Sequence, residues 1–290
     1  MSKDKIINWL IFILLSLIWG SSFILMKLSS SELNGWQIAS VRIFSAGLVF
    51  LPLAIFHISK VPKHKIGLII LSGVLGNLLP AYLFAIAIEK KVDSSLAGIL
   101  NSLTPLLVIV IGVLFFKAKV HSKKIAGVLI GFIGLLILSL SKGGITGNNF
   151  WFAFFILLAT LFYGINVNLA AFYLRGVDSF KMSTISLAFV SLPAFVLMLQ
   201  QNIPALVWND ADYRLPVLAS VVLGVIGSAV ATVLFYMLIK RAGPLFASLV
   251  TYGIPVVAIF WGIAFNEQVT FIQIMCLCII LSGVYLANKI

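Results

Sequence analysis

Residues 90–105 read KKVDSSLAGILNSLTP, and residues 240–255 read KRAGPLFASLVTYGIP. Lys90 and Pro105 recur as Lys240 and Pro255 at an offset of 150, and Ala97 recurs as Ala247. Working outward, Phe115 matches Phe265, Trp19-Gly20 is echoed by Tyr163-Gly164 at an offset of 144, and Gly134 is echoed by Gly283 at an offset of 149. Drifts of that size are what loop insertions produce. A repeat of half the chain length describes two equivalent bundles in one protein. In a membrane that arrangement is a common route to alternating access.

The composition says the membrane is the solvent. The 290 residues are 62% hydrophobic and only 10% charged, whereas a soluble chain carries roughly 25% charged residues. A bilayer asks for roughly 20 apolar residues per helix. Ten segments meet that demand, numbered here in order: 7–27, 36–57, 67–88, 95–116, 123–141, 151–171, 180–200, 215–239, 244–265 and 270–288. Too little remains for an extramembrane domain. Segment 1 follows Lys3 and Lys5 as a signal peptide would. Its long apolar run lacks a clear small-residue cleavage site, so it reads as a retained helix. The expected fold is an all-α membrane protein of ten transmembrane helices in two inverted five-helix repeats. Residues 1–141 form the first repeat and 151–290 the second.

The net charge of +12 follows topology rather than nucleic-acid binding. With the N-terminus cytoplasmic, fourteen of the twenty Lys and Arg residues fall inside. Five fall outside (Lys27, Lys90, Lys91, Lys142 and Arg214), and Arg42 lies within a helix. This is the positive-inside pattern, and it puts both termini in the cytoplasm. Five helices per half is an odd number, so the second half enters from the opposite side. Matched loops agree: Lys117 of the first copy stands where the second has Glu267. The fold repeats while the loop charge swaps, which marks inverted topology.

Trp19-Gly20-Ser21-Ser22-Phe23 in segment 1 resembles the signature of the drug/metabolite transporter superfamily, EamA type, and Arg42-Ile43-Phe44 followed by Ala46 resembles a second mark of it. Pro255, Glu267 and Gly283 match the family's proline–glutamate–glycine spacing, from which the first half departs at Lys117. The resemblance covers essentially the whole chain. It implies a ten-helix transporter of the bacterial inner membrane, with a central cavity lined by segments 1, 3, 4, 6, 8 and 9. It also implies export of small metabolites in many members, and no single substrate.

The residues themselves point to the membrane midplane. A proline inside a helix removes one amide donor and frees the carbonyl four residues earlier. Pro105 frees Asn101 and Pro255 frees Thr251, matched positions that both carry polar side chains. A loosened helix with a spare carbonyl makes a small-ligand site or a hinge; the alternative is an ordinary kink healed by its neighbours. Further candidates for substrate binding are Trp19, Ser22 and Phe23 in segment 1, Asn77 and Tyr82 in segment 3, and Asn101 in segment 4. Segment 6 adds Tyr163 and Asn166. Segment 8 adds Thr232 and Tyr236, on one face with Ser228, and segment 9 adds Thr251 and Tyr252. For each the alternative is interhelical hydrogen bonding, worth about 0.6 kcal/mol on average. Arg42 lies about six residues, or about 9 Å, inside its segment. It either receives a substrate carboxylate or phosphate or snorkels to the interface. Gly127, Gly131 and Gly134 read as close-packing positions, so segments 5 and 10 join the repeats or a dimer.

Absences narrow the function. No Asp or Glu lies mid-membrane, and His57, His64 and His121 all fall in loops. The first-helix carboxylate by which proton-coupled exporters trade protons for a cation is missing, and so is a GxxxxGK[ST] loop for ATP. No paired carboxylates or HExxH argue for an enzyme. Cys276 and Cys278 read as small hydrophobes with no metal pattern around them. The expectation is a transporter, monomeric or homodimeric, without cofactor or metal. It moves a small zwitterionic or neutral metabolite such as an amino acid, or else an anionic or nucleoside-like one through Arg42.

Overall fold

The computed structural model describes residues 3–90, 92, 94–141, 150–264 and 270–288. A helix forms in each expected segment, because lipid offers no partner for a free backbone N–H or C=O. The spans are α1 (Lys3–Ser29), α2 (Gly35–Ile58), α3 (Lys63–Glu89), α4 in two pieces (Ser94–Asn101 and Thr104–Phe116), and α5 (Ser122–Ser141). Then come α6 (Phe150–Phe172), α7 (Ser179–Gln200), α8 (Ala211–Ala242), α9 in two pieces (Pro244–Ser248 and Val250–Ala264), and α10 (Phe271–Asn288). A short helix, Ile203–Asn209, precedes α8 and was not expected from the sequence. Asn202 starts it in a left-handed conformation (φ 53°).

Segments 4 and 9 were expected to be continuous, and both are broken. The break in α4 falls at residues 102–103, so Pro105 sits in the first turn of the second piece. Its missing N–H is an orphan there anyway. The carbonyl of Asn101 takes the Thr104 hydroxyl instead, at 2.6 Å. In α9 the break falls at Leu249, ahead of Pro255, which lies inside the second piece. The discontinuity therefore precedes each proline. A second irregularity also repeats. Residues Val74–Leu78 of α3 and Val225–Val230 of α8 each form a π-helical turn. Such a turn wedges an extra residue into the helix and rotates the side chains beyond it.

Packing displays the inversion directly. Along α2, Ser40, Phe44 and His57 (in the last turn of the helix rather than in a loop) meet Gln201 at the C-cap of α7 and Phe195 and Thr184 within it, so the partner numbers fall as the α2 numbers rise. α2 and its repeat-mate thus run antiparallel. α5 and α10 do the same. A Cβ added at Gly127 would lie 2.5 Å from the Ala287 nitrogen, and one at Gly134 would lie 3.0 Å from Ile279. The backbones touch, as a stripe of small residues allows. α5 and α10 thus join the two repeats. Elsewhere α1 packs on α8 and α9 as α6 packs on α3 and α4, the same neighbourhood carried by the pseudo-two-fold.

The two ends of the bundle differ. At the end holding the N-terminus, Trp9 and Phe12 of α1 close on Phe246 of α9 with ring centroids 5.2–5.4 Å apart. There Arg241 of α8 bonds Asp4 at 2.7 Å and Asn8 at 3.0 Å. Lys240 donates to the Val177 carbonyl. One large core spans both repeats from this end inward. Toward the other end the core divides into smaller clusters. A cleft of about 260 Å³ opens there between α1, α2 and α3, with Glu89 on its wall. Glu89 accepts the Gly35 N–H at 2.9 Å and ties α3 to the start of α2.

Candidate functional site

The π turn of α8 is where the candidate residues converge. Its widened spacing leaves the Gly227 carbonyl to accept the Trp19 indole N–H of α1 at 3.0 Å. One residue on, the Ser228 hydroxyl accepts the Nε–H of Arg42 from α2 at 2.8 Å. Val41 and Ile43, on either side of Arg42, are buried, while Arg42 itself retains partial exposure. The Arg42 guanidinium also interacts electrostatically with Tyr163 of α6. α2 and α6 are not closely packed neighbours, so it is their long side chains that bring the two helices into electrostatic reach. Aromatic rings pair beside them. Tyr163 lies against Phe84 at a centroid distance of 6.3 Å, and Trp19 against Phe235 at 5.2 Å. Arg42, Trp19 and Tyr163 therefore form one group, brought together by three helices from both repeats.

Asn101 ends the first piece of α4. Its Oδ1 is buried and has no hydrogen-bond partner among the described residues. An unsatisfied buried amide oxygen costs about 1–3 kcal/mol, so this position asks for a donor.

The other candidates are satisfied within the protein. Thr232 donates to Asn77 Oδ1 at 3.0 Å, joining α8 to α3. Ser72 of α3 donates to Asn166 Oδ1 at 2.5 Å and lies 2.8 Å from the Tyr236 hydroxyl, closing an α3–α6–α8 knot. Tyr82 bonds Ser40 at 2.8 Å, and Gln201 of α7 donates to the same hydroxyl at 3.1 Å. Tyr252, fully buried, donates to the Val128 carbonyl of α5 at 3.0 Å. Ser22 and Thr251 bond carbonyls of their own helices, Ile18 at 2.8 Å and Ser248 at 2.9 Å. Segment 8's one-sided face of Ser228, Thr232 and Tyr236 thus turns successively to α2, α3 and the α3–α6 pair. The sequence reading missed Ser72, Ser40 and Gln201. An isolated Ser in an apolar helix carries no pattern, and Gln201 lies one residue past segment 7. Glu267 and the side chain of Phe23 lie outside the described residues, as do Phe265 and Lys142. Among the described residues no three His, Cys, Asp or Glu side chains gather as a metal site.

The model of the EamA-like transporter family matches residues 7–140 and again residues 150–289. The chain belongs to this family. As a family member it is a multi-pass membrane transporter built from two copies of one unit. It is similar to the uncharacterized inner membrane transporter YedA of Escherichia coli, 25% identical over 288 residues that cover 94% of this chain and 88% of that one. An uncharacterized transporter of Synechocystis is 23% identical over 301 residues, covering 94% and 87%. One of Archaeoglobus fulgidus matches about half of each chain at 24% identity over 132 residues. A solved structure titled "Crystal structure of protein" superposes with a TM-score of 0.73 over 97% of this chain and 96% of that one. At 14% identity that likeness concerns the fold alone.

Proposed function

We propose that the protein resides in the bacterial inner membrane and exports a small zwitterionic or neutral metabolite, such as an amino acid, by alternating access. The observation that carries this is the antiparallel pairing of each helix with its repeat-mate in α2–α7 and α5–α10. Two inverted repeats can rock against each other about a shared centre. The packing supports the same reading: one end of the bundle is joined across both repeats by the Trp9–Phe12–Phe246 rings and the Arg241–Asp4 pair. Repeats 1–141 and 151–290 are the moving units. The breaks ahead of Pro105 and Pro255 are the hinges, and both termini lie in the cytoplasm. The substrate sits among Trp19, Arg42, Asn101, Tyr163 and Thr251. The remaining candidates, Ser22, Asn77, Tyr82, Asn166, Thr232, Tyr236 and Tyr252, line or brace that centre.

The test is counterflow in proteoliposomes with a panel of labelled amino acids, nucleosides and sugars, with and without a pH gradient. Alanine at Asn101, Tyr163 or Thr251 lowers the flux of the transported compound by roughly tenfold, the equivalent of one hydrogen bond, while the protein stays monodisperse. Unchanged kinetics in all three variants sink the site assignment. A reporter fused to the C-terminus that is active only on the periplasmic side sinks the topology.

A further inference from the structure

We infer that the substrate carries a single carboxylate and that Arg42 is its counter-ion; the inference rests on the transport reading and narrows its substrate class. An ionised side chain inside a membrane helix is costly and is tolerated where it meets a partner or a wet cavity. Arg42 presents five N–H donors in a planar fork. Ser228 takes the Nε–H. Among the described residues the two terminal nitrogens have no hydrogen-bond acceptor, and no carboxylate stands within ion-pair distance of the guanidinium. The fork's outer edge is therefore uncommitted, and that is the edge a carboxylate engages through two parallel hydrogen bonds.

Arg42 is partly exposed, and its guanidinium is bonded by Ser228 of α8, so the group lies on the side of α2 that faces the second repeat. It does not face lipid alone. The charge count selects the ligand. One guanidinium neutralises one negative charge, and every other Lys or Arg of the described membrane helices lies within about three residues of a helix end. A phosphate dianion would keep an uncompensated charge in a low-dielectric site, whereas a monocarboxylate would not. The ring pairs Tyr163–Phe84 and Trp19–Phe235, whose Tyr163 and Trp19 belong to the Arg42 group, suit an α-ammonium or an apolar side chain. Uncharged sugars and nucleosides would leave the guanidinium unpaired. The occupant is thus an amino acid or a related monocarboxylate.

The experiment measures thermal stabilisation of the purified protein by L-leucine, L-phenylalanine, L-serine and lactate, each beside its carboxamide, followed by counterflow of the labelled acids. At least one acid raises the unfolding temperature of the wild type and its carboxamide does not. Arg42→Gln abolishes the shift and lowers counterflow by roughly tenfold or more. Arg42→Lys keeps the charge without the fork and retains part of both, which separates charge loss from misfolding. The inference is overturned if the carboxamides stabilise as well as the acids, if Arg42→Gln binds the acids like the wild type, or if none of the four acids acts. Counterflow of an uncharged sugar or nucleoside by wild type and Arg42→Gln alike would overturn it while leaving the transport reading intact. Arg42-dependent stabilisation without counterflow of any compound would uphold it and strike the transport reading alone.

Discussion

The π turns of α3 and α8 occupy the same place in the two repeats and are held in opposite ways. Each carries a glycine against the leading helix of the other repeat: Gly76 meets Asn166 of α6, and Gly227 meets Ser22 of α1. Those two side chains are themselves repeat-mates, at the same offset of 144 that relates Trp19 to Tyr163. From that shared frame the contacts diverge. The first turn is closed by neutral groups, with Thr232 on Asn77 and the Ser72–Asn166–Tyr236 knot beside it. The second is held by a cation and an indole, Arg42 on Ser228 and Trp19 on Gly227. One turn is a sealed joint; the other is a joint with a charge left facing the interior. A symmetric scaffold thus holds its two equivalent bulges by chemically different contacts.

The strongest way to break this comparison is to add bulk at both glycines. Gly76→Leu drives a side chain into Asn166 and is expected to cost about 3 kcal/mol, at the upper end of overpacking, read as a lower unfolding midpoint in detergent. At Gly227 the nearest atoms are the tip of Leu223 and the Ser22 hydroxyl, at 3.2 Å. Gly227→Leu is therefore expected to cost less stability than Gly76→Leu and more transport. Equal stability losses would erase the distinction between the joints. Next in size, Tyr236→Phe removes a buried hydroxyl from the knot and should lower stability by about 1 kcal/mol, with substrate affinity unchanged. Ser228→Ala orphans the Arg42 Nε–H, so it should lower stability by about 1 kcal/mol as well and, unlike Tyr236→Phe, change flux severalfold. The smallest effect is expected from Thr232→Val, about 0.6 kcal/mol in a membrane helix. A larger loss of flux there than in Ser228→Ala would place the substrate at the first joint instead.

Much of the architecture was legible because its causes are local. The lengths of the ten apolar runs, the recurrence of Lys90 and Pro105 at Lys240 and Pro255, and the close-packing glycines of α5 and α10 all stand in the linear sequence. The Lys117–Glu267 swap rests on the sequence alone, since Glu267 lies outside the described residues. The site was legible only in part. Arg42 and Tyr163 announced themselves as polar groups in apolar helices, and so did Tyr252 and Tyr236, whose hydroxyls bond Val128 and Ser72. Nothing in the string separates the two kinds.

Sequence by itself therefore determined that this chain crosses the membrane ten times, that its halves are copies, and that the odd helix count inverts one of them. Those properties follow from hydrophobic length and parity, which each stretch of chain carries alone. Tertiary structure decided the π turns, the breaks ahead of the prolines, and which polar groups are spent on one another. Thr232 and Asn77 are 155 residues apart, Ser72 and Tyr236 164, and Arg42 and Ser228 186. Partners at that separation are chosen by how helices pack around the pseudo-two-fold, and in lipid a polar group is silent or exposed according to that choice.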